Sequence, residues 1–241
     1  MNNLISEDIE AKLLANLPID IGNGLLYYPT PFIKAVDIGL STYNLYVSLF
    51  LIDKTSINKA IDDRITNFDI FYANCYHDTE FKDAAFSALR LFFMEEPEMY
   101  EDIEGVSIIF PSNGLILNFK NFDNFQLILK TVHHLKTNNK PEFNPKDSRA
   151  QAMIDLILKQ RKQQPTPKEK MTLVSIVSGL SWKSNGVSIK EILDLNIYQI
   201  YNGFFTTNNI DNYHHTLSAI YAGTIDSKNI KMADMHWANK P

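Results

Sequence analysis

The sequence predicts a mainly α fold: a multi-helix globular domain with one β-hairpin at about residues 106–119, then a smaller C-terminal helical domain. Three observations predict it. Cap residues and prolines punctuate apolar runs at helical spacing along most of the chain. The period changes to that of strands only around Asn113-Gly114. A polar stretch with two prolines, KQRKQQPTPKEK at residues 159–170, separates off the last third as a linker. The expected division is a helical domain with its hairpin at residues 1–164, a helical domain at 165–223 and a tail at 224–241.

Ser6 is a suitable N-cap for a first helix through Asn16, and Glu7 and Asp8 favour its positive end. Pro18 stops it, and residues 18–29 read as a connector with an apolar stretch at 25–28. Thr30-Pro31 is a start signal, a cap residue followed by proline in the first turn. Gly39 ends that helix. The next starts at Ser41 or Thr42 and carries LYVSLFLI, whose apolar side chains cover most of the circumference. That pattern predicts a helix at the centre of the core. Thr55 begins a short helix and residues 68–75 form another. Asp78 caps the clearest amphipathic segment, in which Phe81, Ala85, Ala88, Leu89, Phe92 and Phe93 recur at helical spacing. Pro97 interrupts it. Residues 95–104 hold six acids and no base, and read as an exposed loop.

VSIIF at residues 106–110 and LILNF at 115–119 flank Pro111-Ser112-Asn113-Gly114, a strong hairpin signal. A two-stranded hairpin is marginal alone in water, so it must pack on helices. Asn121 or Asp123 caps a helix carrying Phe125, Leu127, Ile128, Leu129, Val132 and Leu135. Residues 148–164 read as another helix. Beyond the linker, residues 172–180 are helical in pattern and 181–186 form a turn. Ser188 with Glu191 is a capping box. Asn196 caps IYQIYNGFF. Asp211 starts a last helix, through Ala222, which Gly223 closes.

Composition narrows the class of function. One cysteine, Cys75, leaves no intrachain disulfide framework and fits a reducing compartment. The N-terminus lacks the basic and apolar regions of a signal peptide. The most apolar window, residues 45–52, falls far below the roughly 20 residues a membrane-spanning helix needs, so a soluble chain is expected. Net charge is −5 but uneven. Residues 53–104 hold thirteen acidic and five basic side chains; residues 136–170 hold four and nine. Asymmetry of this kind steers charged partners, although charge runs are usually solvated surface.

No motif announces chemistry. His133-His134 and His214-His215 are adjacent pairs, and neighbours on a helix point about 100° apart, too far to share one metal well. Cys75-x-His77 lacks the second half of a zinc signature. Nucleophile elbows and the Gly-rich phosphate loops are missing. Cys75 beside Phe71 and Tyr72 reads as a buried, inert thiol. Neither catalytic residues nor a metal or other cofactor are therefore expected. Lys159, Arg161, Lys162, Lys168 and Lys170 precede a stretch readable as helix, turn, helix. Its second helix, IKEILDL, has one Lys against one Glu and one Asp, which argues against nucleic-acid binding while keeping it as an alternative.

Two features remain for partner binding. Tyr198, Tyr201, Phe204 and Phe205 lie together on one helix, as core packing or as a partner groove. The tail carries Met232, Met235 and His236-Trp237, residues a disordered tail usually lacks. It is expected either to fold back on the body or to dock on a partner.

The C-terminal stretches LVSIVSGLSWKSNGVSIKEILDLNIYQIYNGFF, AIYAG and HWANK, with YPTPFIKAVDIGLSTYNLYVSLFLIDKTSI upstream, carry a resemblance. They are similar to bacteriophage virion-assembly proteins, among them the tail assembly chaperones of long-tailed phages. The resemblance implies a mostly helical protein, working without a cofactor in the host cytoplasm. It would hold the long helical tape-measure protein soluble while tail tube subunits polymerise. Either of those phage proteins is the implied partner, and self-association stays open. At 241 residues the chain is long for a simple chaperone. A head–tail connector or another structural virion component is the alternative the same resemblance allows.

Overall fold

The computed structural model describes residues 7–54, 62, 64–103, 105–135, 171–183, 187–226 and 230–239. Within them lie nine helices and two small antiparallel sheets, a mixed fold rather than a purely helical one. The predicted helices from Thr55 and over 148–164, the linker, the division at 164 and 165, and the cap Ser6 lie outside the described residues.

Helix α1 spans Glu7–Leu14 with three acids in its first turn. It ends in a left-handed Asn16 (φ 54°), where the amides of Asn16 and Leu17 donate back to the carbonyls of Leu13 and Lys12. This reciprocal pair satisfies the terminal carbonyls. The expected connector then contains a hairpin that sequence reasoning missed, β1 (Ile19–Asp20) against β2 (Leu26–Tyr27). Its turn is held by Asp20, whose Oδ1 accepts from the amides of Gly22 (2.7 Å) and Gly24 (3.2 Å). Gly22 has φ 129°, and a Cβ there would sit 3.2 Å from the Asn121 side chain. Left-handed backbone and close approach together call for glycine.

Helix α2 is Phe32–Asp37, with Pro31 rather than Thr30 in the cap position and no side-chain cap bond. Helix α3, Leu40–Leu49, corrects the expectation of a central helix. Only Tyr43 and Val47 of it are buried, Leu45 is exposed, and the helix stops before Phe50. An apolar circumference does not decide which helix finds neighbours on every side. The centre belongs instead to the helices Thr79–Phe93 and Phe122–Val132.

Helix α4, Asn67–His77, is opened by a capping box between Thr66 and Asp69. Helix α5, Thr79–Phe93, starts as expected from Asp78, whose side chain accepts from the Phe81 amide. It buries Ala85, Phe86, Ala88, Leu89, Phe92 and Phe93, and ends in a left-handed Met94. The middle of the acidic stretch expected as a loop is a strand. β3 (Glu98–Asp102) pairs with β4 (Gly105–Phe110), which pairs with β5 (Leu115–Leu117), so the expected hairpin gains a third strand beside β4. β3 runs along the sheet edge with Glu98, Glu101 and Asp102 exposed. Carboxylates on an edge discourage pairing with another chain, which explains a strand of low strand propensity.

Helix α6, Phe122–Val132, buries Phe122, Phe125, Gln126, Ile128, Leu129 and Val132. Asn121 precedes it without capping it. Its Oδ1 accepts from the Asn118 amide and its Nδ2 donates to the Ile116 carbonyl, which ties the helix start to β5. Phe125 lies at the hub of the aromatic core, with ring centres 5.0 Å from Phe93, 5.1 Å from Phe50 and 6.0 Å from Tyr27 and Phe92. Gln126 beside it donates to the carbonyls of Phe50 (2.7 Å) and Ile52 (2.8 Å), satisfying backbone where α3 has ended.

The C-terminal part comprises α7 (Leu173–Lys183), α8 (Ile189–Asp194) and α9 (Ile197–Tyr221). Ser181 to Lys183, expected in a turn, belong to α7. The Ser188–Glu191 capping box is present. The two helices expected at 197–205 and 211–222 are one 25-residue helix, because nothing between Gly203 and Gly223 breaks it. At its end the amides of Gly223 and Thr224 donate to the carbonyls of Ile220 and Ala219, with Gly223 left-handed (φ 70°) as expected.

Candidate interaction surface

Asn196 fixes where α9 begins. It is fully buried, and its Oδ1 accepts from the Gln199 amide (2.9 Å) as an N-cap. Its Nδ2 donates to the Leu13 carbonyl (2.9 Å) and to Asn16 Oδ1 (2.9 Å), so the cap also grips the end of α1. Gln199 completes a capping box and donates to the Leu14 carbonyl. The Phe32 amide donates to the Leu195 carbonyl, and Pro31 bridges Asn196. These contacts seat the first turns of α9 against α1 and α2, with Ile197, Tyr198 and Ile200 buried.

The aromatic group of α9 closes around one residue of α6's end. His134 is left-handed (φ 48°), and its amide and that of Leu135 donate to the carbonyls of Thr131 and Lys130. That turn presents its ring to α9. Its centre lies 5.4 Å from Tyr198, stacked at 14°, 5.5 Å from Tyr201 and 5.0 Å from Phe205. Phe204 meets Phe205 edge-on at 5.3 Å. Tyr198 is buried, which raises its phenol pKa, and Tyr201, Phe204 and Phe205 are half-buried. Burial in turn lowers the His134 pKa against the pull of Glu10. Of the four residues singled out from sequence, three thus serve an internal aromatic joint. His134, separated from them by more than sixty positions, carried no sequence signal for that role.

Its neighbour His133 faces the core. Its Nε2 lies 3.0 Å from the Tyr43 hydroxyl and its Nδ1 2.8 Å from the Leu129 carbonyl. Burial holds its pKa down at about 4, opposed by the Leu129 hydrogen bond and aided by His134. The pair that looks alike in sequence therefore splits into an α6–α3 tie and an α6–α9 joint.

Past Phe205, α9 leaves the core. Between Ile197 and Tyr221 its one formally charged residue is Asp211, and Asp211 pairs with Lys183 at the end of α7. Ile210, Tyr213, Leu217 and Ile220 are half-buried at spacings of three, four and three. Trp182 is 88% exposed and Tyr221 84%. The tail returns to this helix. The His236 ring lies 5.4 Å from Tyr213, and Trp237 stacks on His236 at 5.5 Å. Residues 230–239 form a chain of tight turns, with Asn239 Nδ2 donating to the Ala233 carbonyl. Of the two residues singled out from sequence, His236 thus sits on α9 and Trp237 stacks on His236.

Elsewhere, a groove of ≈ 490 Å³ lies between α4, α5 and β3, with Tyr72, Cys75, Tyr76, Lys82, Asp83 and Glu101 in its lining. Burial pushes the Cys75 thiol up to about 12, so it is not a ready nucleophile. Among the described residues no three His, Cys, Asp or Glu side chains gather as metal ligands, and no helix is long and apolar enough to cross a membrane.

Residues 161–240, the stretch that forms this surface, match one family model. It is that of the YomV second domain, a phage-derived family. The match points to a phage protein and to no narrower role. No curated protein and no solved structure matches the chain. The matched stretch takes in α7, α8, α9 and the tail, so helix and tail fall within one matched unit.

Proposed function

We propose that this chain is a non-enzymatic phage assembly protein of the tail assembly chaperone kind. It holds an apolar helical segment of the tape-measure protein while the tail tube forms. The carrying observation is α9, a 25-residue helix whose outer turns leave the core and whose single formal charge is already paired. A helix facing only water normally displays charged residues on its outer side. One that lacks them is suited to being covered. The phage-derived family match supports the setting, and the aromatic side chains beside the outer half of α9 support a protein partner.

Co-expression with the tape-measure protein of the same phage tests the reading. The expected result is a stable co-purifying complex and a larger soluble fraction of the tape-measure protein. No complex and no gain in solubility would refute it. Quantitative mass spectrometry of purified virions separates this from a structural subunit, which would persist there in fixed copy number.

A further inference from the structure

We infer that the tail, residues 230–239, is a removable cover on the outer half of α9. The surface beneath it takes an amphipathic partner helix with an apolar, uncharged face. The inference deepens the proposed function and rests on it for the identity of the natural partner, though not for the cover itself.

Ile210, Tyr213, Leu217 and Ile220 line one side of α9 at the alternating three-and-four spacing with which helices interlock. From Phe205 to Tyr221 the helix runs about 25 Å at about 1.5 Å per residue, long enough for two heptads. The flanks offer Thr207, His214 and Ser218 on one side and Asn209 and Thr216 on the other, none of them formally charged with histidine neutral. Partner choice in paired helices normally uses flanking charges. With Asp211 committed to Lys183, this face supplies none, so the complementary helix is one whose flanks are also uncharged.

In the free chain the tail stands in this place. Gly223 ends α9 in a left-handed turn, and His236 rests on Tyr213, in the middle of the stripe. Ile230, Met232 and Met235 are half-buried while Trp237 stays partly exposed. The hydrogen bonds of the tail are spent within it, from Asp234 to Lys231, Met235 to Met232 and Asn239 to His236. Among the described residues none joins 230–239 to α9. A cover held by side-chain contact alone leaves as a unit without exposing backbone groups to an apolar surface.

The probe is a synthetic amphipathic helix of about three heptads, with Leu and Ala on one face and Gln and Ser on the other. It is titrated against the full chain and the full chain carrying His236→Ala and Trp237→Ala. The expected result is at least tenfold tighter binding by the double variant. In the unaltered chain, peptide binding should speed amide exchange at Met235, His236 and Asn239 and slow it along α9. Leu217→Glu should abolish binding in both backgrounds with unchanged helical circular dichroism. Should that variant unfold, Ile220→Gln serves the same purpose. Equal affinities with and without the tail substitutions, or binding that survives the stripe substitutions, would overturn the inference. Concentration-dependent dimerisation of the double variant without peptide binding would assign the stripe to a second copy and overturn the partner proposed. Intact peptide competition without co-purification of the tape-measure protein would leave the cover standing and refute only the functional reading.

Discussion

Replacing Asn196 tests how the C-terminal helices are held to the N-terminal ones. The side chain does two jobs, and each has a separable magnitude. As N-cap of α9 it accepts from the Gln199 amide, a role whose loss costs about 1 kcal/mol. As donor it satisfies the Leu13 carbonyl in a fully buried position, and leaving such an acceptor unpaired costs about 1–3 kcal/mol. Asn196→Ala removes both and should destabilise by about 2–4 kcal/mol. Asn196→Ser keeps a good cap and shortens the donor, so it should recover about 1 kcal/mol. Asn196→Asp keeps the cap acceptor but turns a buried carboxylate towards the Leu13 carbonyl. It should be no better than alanine at neutral pH. Urea denaturation followed by circular dichroism reads all three. The thermal midpoint of the alanine variant should fall by about 2–4 °C per kcal/mol. A loss below about 0.5 kcal/mol for alanine, within the range of ordinary surface changes, would refute the grip on α1. Serine as costly as alanine would refute the capping share.

His133 makes stability depend on acid. Its pKa is about 4 in the fold and 6.5 ordinarily, so as pH falls the unfolded chain takes up the proton first and stability drops between pH 6.5 and 4. The contribution is fully present above pH 6.5. Its loss approaches about 3 kcal/mol below pH 4, reduced by the ring's partial contact with solvent. Urea titrations of His133→Gln should show a flatter pH dependence in that window. Phe125→Ala empties the aromatic hub and should cost about 3–5 kcal/mol by the same denaturation assay, with little change at pH-sensitive positions. Glu101→Val with Asp102→Thr removes carboxylates from the β3 edge. Light scattering at neutral pH should rise markedly while the melting temperature stays level or increases.

Local chemistry was legible where a single residue decides a boundary. Asp78, Ser188 with Glu191, Asn196 and Gly223 each mark a helix end through a bond made within six residues of the sequence. The Asn113-Gly114 hairpin was legible for the same reason. Legibility failed where tertiary context decides. The acids of β3 look like a loop because their low strand propensity is overridden by pairing with β4 and by the protection an edge requires. The apolar run of α3 promised burial that went to α5 and α6. Asp211 read as the start of a separate helix, yet without glycine or proline between Gly203 and Gly223 one helix continues through it. The site was half legible. Tyr198, Tyr201 and Phe205 were singled out, but His134, which joins them, was not, since a histidine in the left-handed position normally held by glycine has no distinguishing pattern. Nor could spacing reveal that His236 would rest on Tyr213, because the contact joins residues twenty-three positions apart across the end of α9.

The central claim is that α9 binds another phage protein along its outer stripe. A benzophenone amino acid in place of Leu217, activated by light in phage-producing cells, tests it most directly through mass spectrometry of the adducts. Adducts to a helical segment of the tape-measure protein, with the adducted chain's tail no longer protected, are the predicted result. Adducts confined to the chain's own residues 230–239 throughout assembly would contradict it.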